Sequence, residues 1–385
     1  MKILHLAAAD IMLNPILREQ LLFLRENGYA VHAASIEGPL ARRLHEQDHF
    51  PWTPLPLSRS LAPFEDWRAI RFIEALCRRE KFDLVHTHTP KGNFVGTWAA
   101  RRAGVPLVME TLHGLYFHER SSRLSTAIWT RIERLTAARC DLVFFQNPED
   151  VETSRKKRIV PLEKTILLGN GVNLRRFRPR LFSAAERAAY RRKLGVPTDA
   201  FVVGMAGRFV REKGWPTMWA AAARLAGEFP KFFLLAVGHR LGSERPKESW
   251  RPPSAGPEMR ALAQRALVLE DREDMPELYA CMDAAALPSL REGFPRVLLE
   301  GAASGLPQVA TNIRGCRQAV EDGKTGFLTP VNDPLALVGA LAKLQTDRSL
   351  CQALGEAARF KAEREFEQED VFRKIAQAYR EKMRQ

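Results

Sequence analysis

Two carboxylates, Glu292 and Glu300, stand eight positions apart in the run Glu292-Gly-Phe-Pro-Arg-Val-Leu-Leu-Glu300. Just upstream, Ala284-Ala-Ala-Leu-Pro-Ser289 reads as a short buried strand that ends in a turn. Gly293 permits a backbone angle closed to other residues, and Pro295 suits the first position of a helix. Glu292 is therefore expected on a loop, with Glu300 about two turns into the helix. Carboxylates accept hydrogen bonds from hydroxyls, and the unpaired N–H groups of a helix start face phosphate or sugar oxygens. Gly293, Phe294 and Arg296 can supply such groups, whereas Pro295 has none. The combination suits a nucleotide-sugar. It does not suit a glycosidase pair, whose carboxyls converge on one bond from ~5 to 10 Å apart.

A second constellation lies in Gly207-Arg-Phe-Val-Arg-Glu-Lys-Gly214, between the strand Phe201–Ala206 and a helix opening at Trp215-Pro216. Its glycines let the backbone approach a ligand, and it offers Arg208 and Lys213. Departure of a nucleoside diphosphate leaves negative charge that either a metal or fixed cations must stabilise. Fixed cations are available here. The nearest acid cluster, Asp271-Arg-Glu-Asp274, lacks D-x-D spacing, so neither metal nor other cofactor is expected. In the N-terminal half, Glu110-Thr-Leu-His-Gly114 ends a strand and presents His113. His86-Thr-His88 has the form of a metal pair but reads as two differently facing side chains.

The elements that must hold these residues alternate regularly. Strands are expected at Ile3–Ala7, Ala30–Ala34, Leu84–His86, Pro106–Thr111, Leu142–Gln146 and Thr165–Leu168. Helical patterns separate them at Ile16–Asn27, Trp67–Arg79, Asn93–Ala103 and Thr126–Ala138. A second set of strands runs through Phe201–Ala206, Phe232–Val237, Ala284–Leu287 and Pro307–Ala310. Such alternation implies parallel sheets covered by helices, an α/β chain of two doubly wound domains. The expected division is residues 1–174 with 369–385, a linker at 175–200, and residues 201–368. The stretch Arg240–Pro257 reads as an inserted surface loop.

At 385 residues the chain can bury two ordinary cores. No apolar run approaches the ~18 to 20 residues of a membrane span. The first ten residues lack a signal peptide's cleavage region and read as a strand. Five scattered cysteines show no metal spacing and look like reduced thiols. The formal net charge of +14 is weighted toward the N-terminal half. No nucleic-acid recognition motif accompanies it, which leaves a generally basic surface or an anionic partner for that half, such as a membrane surface. Around 121–140, Arg123, Arg131, Arg134 and Arg139 accompany Leu124, Ile128 and Trp129 at helical spacing. Either a membrane-lying helix or a core-facing stripe with a basic outer face fits that pattern.

The run from Pro288 to Pro307, with Val309–Val320 and Asp322–Pro330, resembles the signature of retaining glycosyltransferases of family four, which have the GT-B fold. The likeness spans nearly the whole chain and is weakest at the N-terminus and across Arg240–Pro257. It implies two facing Rossmann-like domains with the active site in the cleft and a terminal helix, roughly Glu369–Met383, crossing back to the N-terminal domain. By resemblance Glu292 holds the donor sugar's hydroxyls and Glu300 the ribose. Arg208 and Lys213, on the loop that Gly207 opens, hold the diphosphate, and the loop around Arg272 lies against the base. His113 sits beside the transferred sugar. The Thr87–Gly92 loop lines the acceptor side, with Lys91 meeting an acceptor phosphate and Asp10 nearby. The first turn, Ala7-Ala-Ala-Asp10, departs from the glycines that many relatives carry there. That departure and Ile313-Arg-Gly-Cys-Arg317 resemble the bacterial capsule and exopolysaccharide subgroup. The implied donor is a UDP-sugar and the implied acceptor a glycan or lipid-diphosphate-linked glycan, in the cytoplasm or at the inner face of its membrane. A non-catalytic partner subunit and a nucleotide-sugar epimerase are the alternatives.

Overall fold

Short apolar runs alternating with helical stretches suit parallel strands buried on both faces under helices, and the chain builds two such sheets. The computed structural model describes residues 1–58, 62–179, 181–240, 248–253 and 256–384. Half of the expected inserted loop, residues 241–247 and 254–255, therefore lies outside the described residues. The first sheet contains β1 (Lys2–Ala7), β2 (Ala30–Ser35), β3 (Trp52–Pro54), β4 (Leu84–His88), β5 (Leu107–Leu112), β6 (Leu142–Phe145) and β7 (Thr165–Leu167). The second contains β8 (Phe201–Arg208), β9 (Phe232–His239), β10 (Ala266–Glu270), β11 (Ala284–Leu287), β12 (Gln308–Thr311) and β13 (Gly326–Thr329).

Strand order is β3-β2-β1-β4-β5-β6-β7 in one sheet and β10-β9-β8-β11-β12-β13 in the other. Every named pairing is parallel. The winding direction reverses between β1 and β4, and again between β8 and β11. Ligands of doubly wound sheets bind beyond the carboxyl ends of the strands at such reversals. Three strands escape the sequence pattern: β3, β10 and β13. All three are edge strands, where one neighbour is enough and Pro, Gly or half-exposed positions are tolerated.

Two compact units result, Met1–Gly169 with Asp370–Gln385, and Asn170–Glu369. The last helix, Gln368–Met383, buries Ile375, Ala376, Ala378 and Tyr379 against Ile3, Leu13, Leu21 and Phe144 of the first unit. The Tyr29 hydroxyl donates to its Ala376 carbonyl at 3.3 Å. The terminal helix thus crosses back as expected.

The stretch 175–200 does not behave as a linker. Phe177 lies in the second unit's core. Ala184–Leu194 is a helix closed by a Ser183–Glu186 capping box. Arg191, 2% exposed, donates to the Cys281 and Ala200 carbonyls and pairs with Asp283 at 2.9 Å. Arg187 donates to the Ala280 and Met282 carbonyls. Arginines that look like a solvated tether in the sequence instead satisfy carbonyls at the end of a helix and bolt this segment to the second unit.

On the helix Arg123–Ala137, Glu133, Thr136 and Ala137 face the core while Leu124, Ile128 and Leu135 lie exposed. Leu124, Ile128 and Leu135 therefore form an outer apolar stripe, whereas Trp129, half-buried, packs against the first unit's core. No described helix is long and apolar enough to cross a membrane.

Candidate active site

The second unit's reversal point is where the chemistry-bearing residues gather. β8 ends at Arg208 and runs through a 3-10 turn, Arg211–Lys213, into the helix Trp215–Glu228. At the junction Gly214 has φ +81, and a Cβ there would stand 1.9 Å from the Pro288 carbonyl oxygen. Only glycine allows this close approach of the β8 loop to the end of β11. The two loops are then laced together. Leu290 N–H donates to the Glu212 carbonyl at 2.8 Å, and Arg291 pairs with Glu212 at 3.1 Å.

That lacing brings Lys213 to Glu292. The ammonium lies 2.6 and 2.8 Å from the two carboxylate oxygens, and the Ser289 hydroxyl donates to the nearer one at 2.7 Å. The Glu292 side chain is 8% exposed and that of Lys213 19%, so the pair is poorly screened by water. Ser289 is itself fixed, since the Thr311 hydroxyl donates to its carbonyl at 2.5 Å. Gly315, at φ +88, lets the Ile313–Arg317 run press against the Gly293 carbonyl, which a Cβ would approach to 2.3 Å. Arg208 is half-buried at the strand end, where its carbonyl accepts from Trp215 Nε1 at 2.8 Å. His239, closing β9, has its pKa lowered first by burial and then by the Arg208 cation, with Lys213 adding to it and Asp271 opposing. This edge is therefore electropositive around one committed carboxylate.

Glu300 sits nearer the helix start than expected. Pro295 caps the helix rather than beginning it, so Arg296–Ala303 places Glu300 about one turn in. The Tyr279 hydroxyl lies 3.1 Å from its carboxylate. Burial raises the Glu300 pKa, opposed by Arg296, Tyr279 and Arg176. The Phe294 ring packs in the core, edge-on to Phe366, so only its backbone can meet a ligand. Arg272 belongs to the same sheet edge, because Gly207, Gly238 and Glu270 align across β8, β9 and β10. Its guanidinium is bonded to Asp274, whose pKa it pushes down to about 2, and Asp274 also accepts from the Tyr190 hydroxyl. The Arg272 guanidinium is thus engaged within the protein, which leaves its backbone as the group open to a ligand.

In the first unit, β4 extends to His88, and this overturns two expectations. Residues two apart in a strand share a face, and the His86 and His88 rings stack at 4.4 Å. They do not face different ways. Thr87, between them, points to the opposite side, with its hydroxyl bonded to the Met109 carbonyl at 3.4 Å and its methyl against Gly96. Fully buried in the sheet, it cannot line an acceptor site. Lys91 pairs with Asp66 at 2.6 Å, both side chains largely buried. Asp10 accepts from the Ile11 and Leu40 amides. The Ala8 amide, in the turn that lacks glycines, is taken by Thr89 Oγ1 at 3.0 Å.

His113 follows β5 and lies 3.1 Å from His88, ring nitrogen to ring nitrogen. Burial lowers its pKa to about 4, and a hydrogen bond with Gln146 opposes the shift. Glu110 is fully buried, and burial first and then Glu133 push its pKa well above the ordinary carboxylate range. Ser289, Thr311, His239 and Gly315 flank these candidate residues and have no role in the sequence reading. Ser289 carries a signal as the polar turn residue that ends the β11 pattern, and Thr311 and Gly315 lie inside the Val309–Val320 run of the resemblance.

Two family descriptions account for most of the chain: "Glycosyl transferase 4-like domain" over residues 14–171 and "Glycosyl transferases group 1" over residues 186–361. A protein of Escherichia coli named UDP-Gal:alpha-D-GlcNAc-diphosphoundecaprenol alpha-1,3-galactosyltransferase is 32% identical over 319 residues, 81% of this chain and 79% of that one. The capsular polysaccharide biosynthesis glycosyltransferase CapM of Staphylococcus aureus is 25% identical over 98% of this chain and 96% of its own. Among solved structures, Anabaena HepE in complex with UDP superposes with a TM-score of 0.80 at 22% identity, covering 99% of this chain and 100% of that one, which shows a common fold. With paired doubly wound sheets and a terminal helix returned to the first of them, the chain belongs to the family-four glycosyltransferases of the GT-B type.

Proposed function

We propose that this enzyme transfers a sugar from a UDP-sugar to a lipid-diphosphate-linked glycan, with retention of configuration and without a metal ion. The observation that carries the reading is the Lys213–Glu292 pair beside Arg208 at the carboxyl edge of the second sheet. The cations stabilise the departing diphosphate, Glu292 accepts from hydroxyls of the donor sugar, and Glu300 accepts from the ribose. Gly207, Gly293, Phe294, Arg296 and Arg272 contribute backbone to the donor; in the first unit, His113 is the residue assigned to a sugar hydroxyl. The bond from the anomeric carbon to the diphosphate oxygen breaks as the acceptor hydroxyl bonds to the same face. The acceptor's proton passes to the leaving diphosphate, so no carboxylate nucleophile is required. A metal-free reaction is supported by the partners of the two acids. Glu292 is bonded by Lys213 and Ser289, and Glu300 by Tyr279.

The E. coli relative's name supports a UDP-linked donor and a diphosphate-lipid acceptor, and the name of CapM supports a place in cell-surface polysaccharide synthesis. The decisive assay is sugar release and transfer with a panel of UDP-, GDP- and ADP-sugars in excess EDTA. Turnover with a UDP-sugar should persist under chelation. Its loss on EDTA and recovery on adding a divalent ion would sink the metal-free mechanism.

A lipid-linked acceptor calls for contact with an anionic bilayer. Leu124, Ile128 and Leu135 form one exposed stripe that includes Arg131, and Tyr116 packs on Trp129 beside it at 3.9 Å. Burying two such side chains is worth about 1.5 to 3 kcal/mol each. Leu124→Asp with Ile128→Asp should weaken co-sedimentation with phosphatidylglycerol vesicles at least ~10-fold, while turnover on a water-soluble acceptor analogue stays near wild type. Equal sedimentation of wild type and variant would dispose of this face.

A further inference from the structure

The first unit buries a line of imidazoles of which the proposed transfer reaction uses only the last. Register sets His5 of β1 beside His86 of β4, and His88 beside Thr111 of β5. His5 Nδ1 lies 3.0 Å from His88 Nε2, and His88 Nδ1 lies 3.1 Å from His113 Nε2. His86 stands outside this chain, its nitrogens bonded to the Tyr379 hydroxyl at 2.5 Å and the Thr111 hydroxyl at 2.7 Å. Burial drives His5, His86 and His88 well below the ordinary histidine range, so each is neutral at pH 7 and carries one ring proton.

Neutral rings leave two arrangements for the line His5–His88–His113. In one, protons sit on Nδ1 of His5 and of His88, each donated outward, and His113 accepts at Nε2 and keeps its own proton on Nδ1. In the other, every proton sits on Nε2, and that of His5 has nowhere to go. His5 Nε2 is buried without a hydrogen-bond partner. A buried orphan N–H is rarer and costlier than a buried lone pair. The first arrangement therefore wins.

We infer that His5 and His88 are positioning residues that lock His113 in the Nδ1–H tautomer, with Nε2 tied inward and Nδ1–H left as the donor for Gln146 or a sugar oxygen. The inference rests on the reading that His113 meets the transferred sugar, although the tautomer itself does not. A transition-metal ion is the competing occupant, because one ring nitrogen from each of His5, His86 and His88 falls within 4.8 Å of the others. Every nitrogen of those three rings except His5 Nε2 is already hydrogen-bonded, which favours the proton line.

Long-range proton–nitrogen NMR of histidine-labelled protein reads the tautomer directly. Wild type should show His113 protonated on Nδ1. His88→Leu should move the proton toward Nε2 and lower kcat about 10- to 100-fold with donor KM little changed. His88→Gln, whose amide can donate to His113 Nε2, should restore both the Nδ1–H signature and most of the turnover. An Nε2–H signature in wild type overturns the inference, as does lost turnover in His88→Leu with the tautomer unchanged, or stoichiometric zinc in the purified protein. Unchanged turnover in His113→Ala would instead remove the sugar-contact role and leave the tautomer result standing.

Discussion

Lys213→Ala and Arg208→Ala should each lower kcat about 10²- to 10³-fold with the fold retained. The size follows from the job assigned to them. A preorganised donor aimed at charge that develops only in the transition state contributes about 2.7 to 4 kcal/mol. The Lys213 ammonium is fixed before any ligand arrives, and so is the backbone that carries Arg208. Lys213 is held by Glu292, and the Arg208 carbonyl is pinned by Trp215 Nε1. Little reorganisation remains for the reaction itself. The two variants should differ in stability. Lys213→Ala leaves the Glu292 carboxylate 8% exposed with only the Ser289 hydroxyl on it, and stranding one partner of a buried pair costs up to about 3 to 5 kcal/mol. The partial exposure of Lys213 reduces that figure. Thermal unfolding of each variant, followed by single-turnover kinetics well below its Tm, separates the effects. Wild-type kcat in both folded variants would end the fixed-cation assignment.

The types of residue that act here were legible in the sequence, while their partnerships were not. Acids and cations announced themselves because a strand-ending turn with Gly and Pro beside charged groups has few purely structural uses. Their meeting depends on sheet order. Lys213 and Glu292 lie 79 positions apart and touch because β8 and β11 are neighbours across the reversal, which no local pattern encodes. The same blindness misplaced His86 and His88. A strand reading that stopped at His86 hid the period of two that stacks the rings, and with it the burial of Thr87. Arg187 and Arg191 misled for a different reason. Charge composition is the same for a tether and for a helix whose arginines cap buried carbonyls, and only the carbonyls at 280–282 tell them apart.

Glu292→Gln should split binding from turnover in opposite directions. The amide keeps the shape of the carboxylate and can still accept from Ser289, so the loop between β11 and its helix should stay in place. Lys213 then loses its counter-ion, and a diphosphate no longer competes with a carboxylate for the ammonium. UDP affinity, read by calorimetry, should hold or tighten a few-fold. Turnover should fall at least ~10²-fold, because charge-assisted bonds to the sugar hydroxyls are roughly twice as strong as neutral ones and strengthen as positive charge builds on the ring. A purely structural Glu292, serving only to anchor Lys213, predicts the reverse pattern: weaker UDP binding, a lower Tm, and a kcat that follows the loss of bound donor. Finding that pattern would move the sugar-binding carboxylate elsewhere in the site and leave Lys213 as the residue the ion pair exists to position.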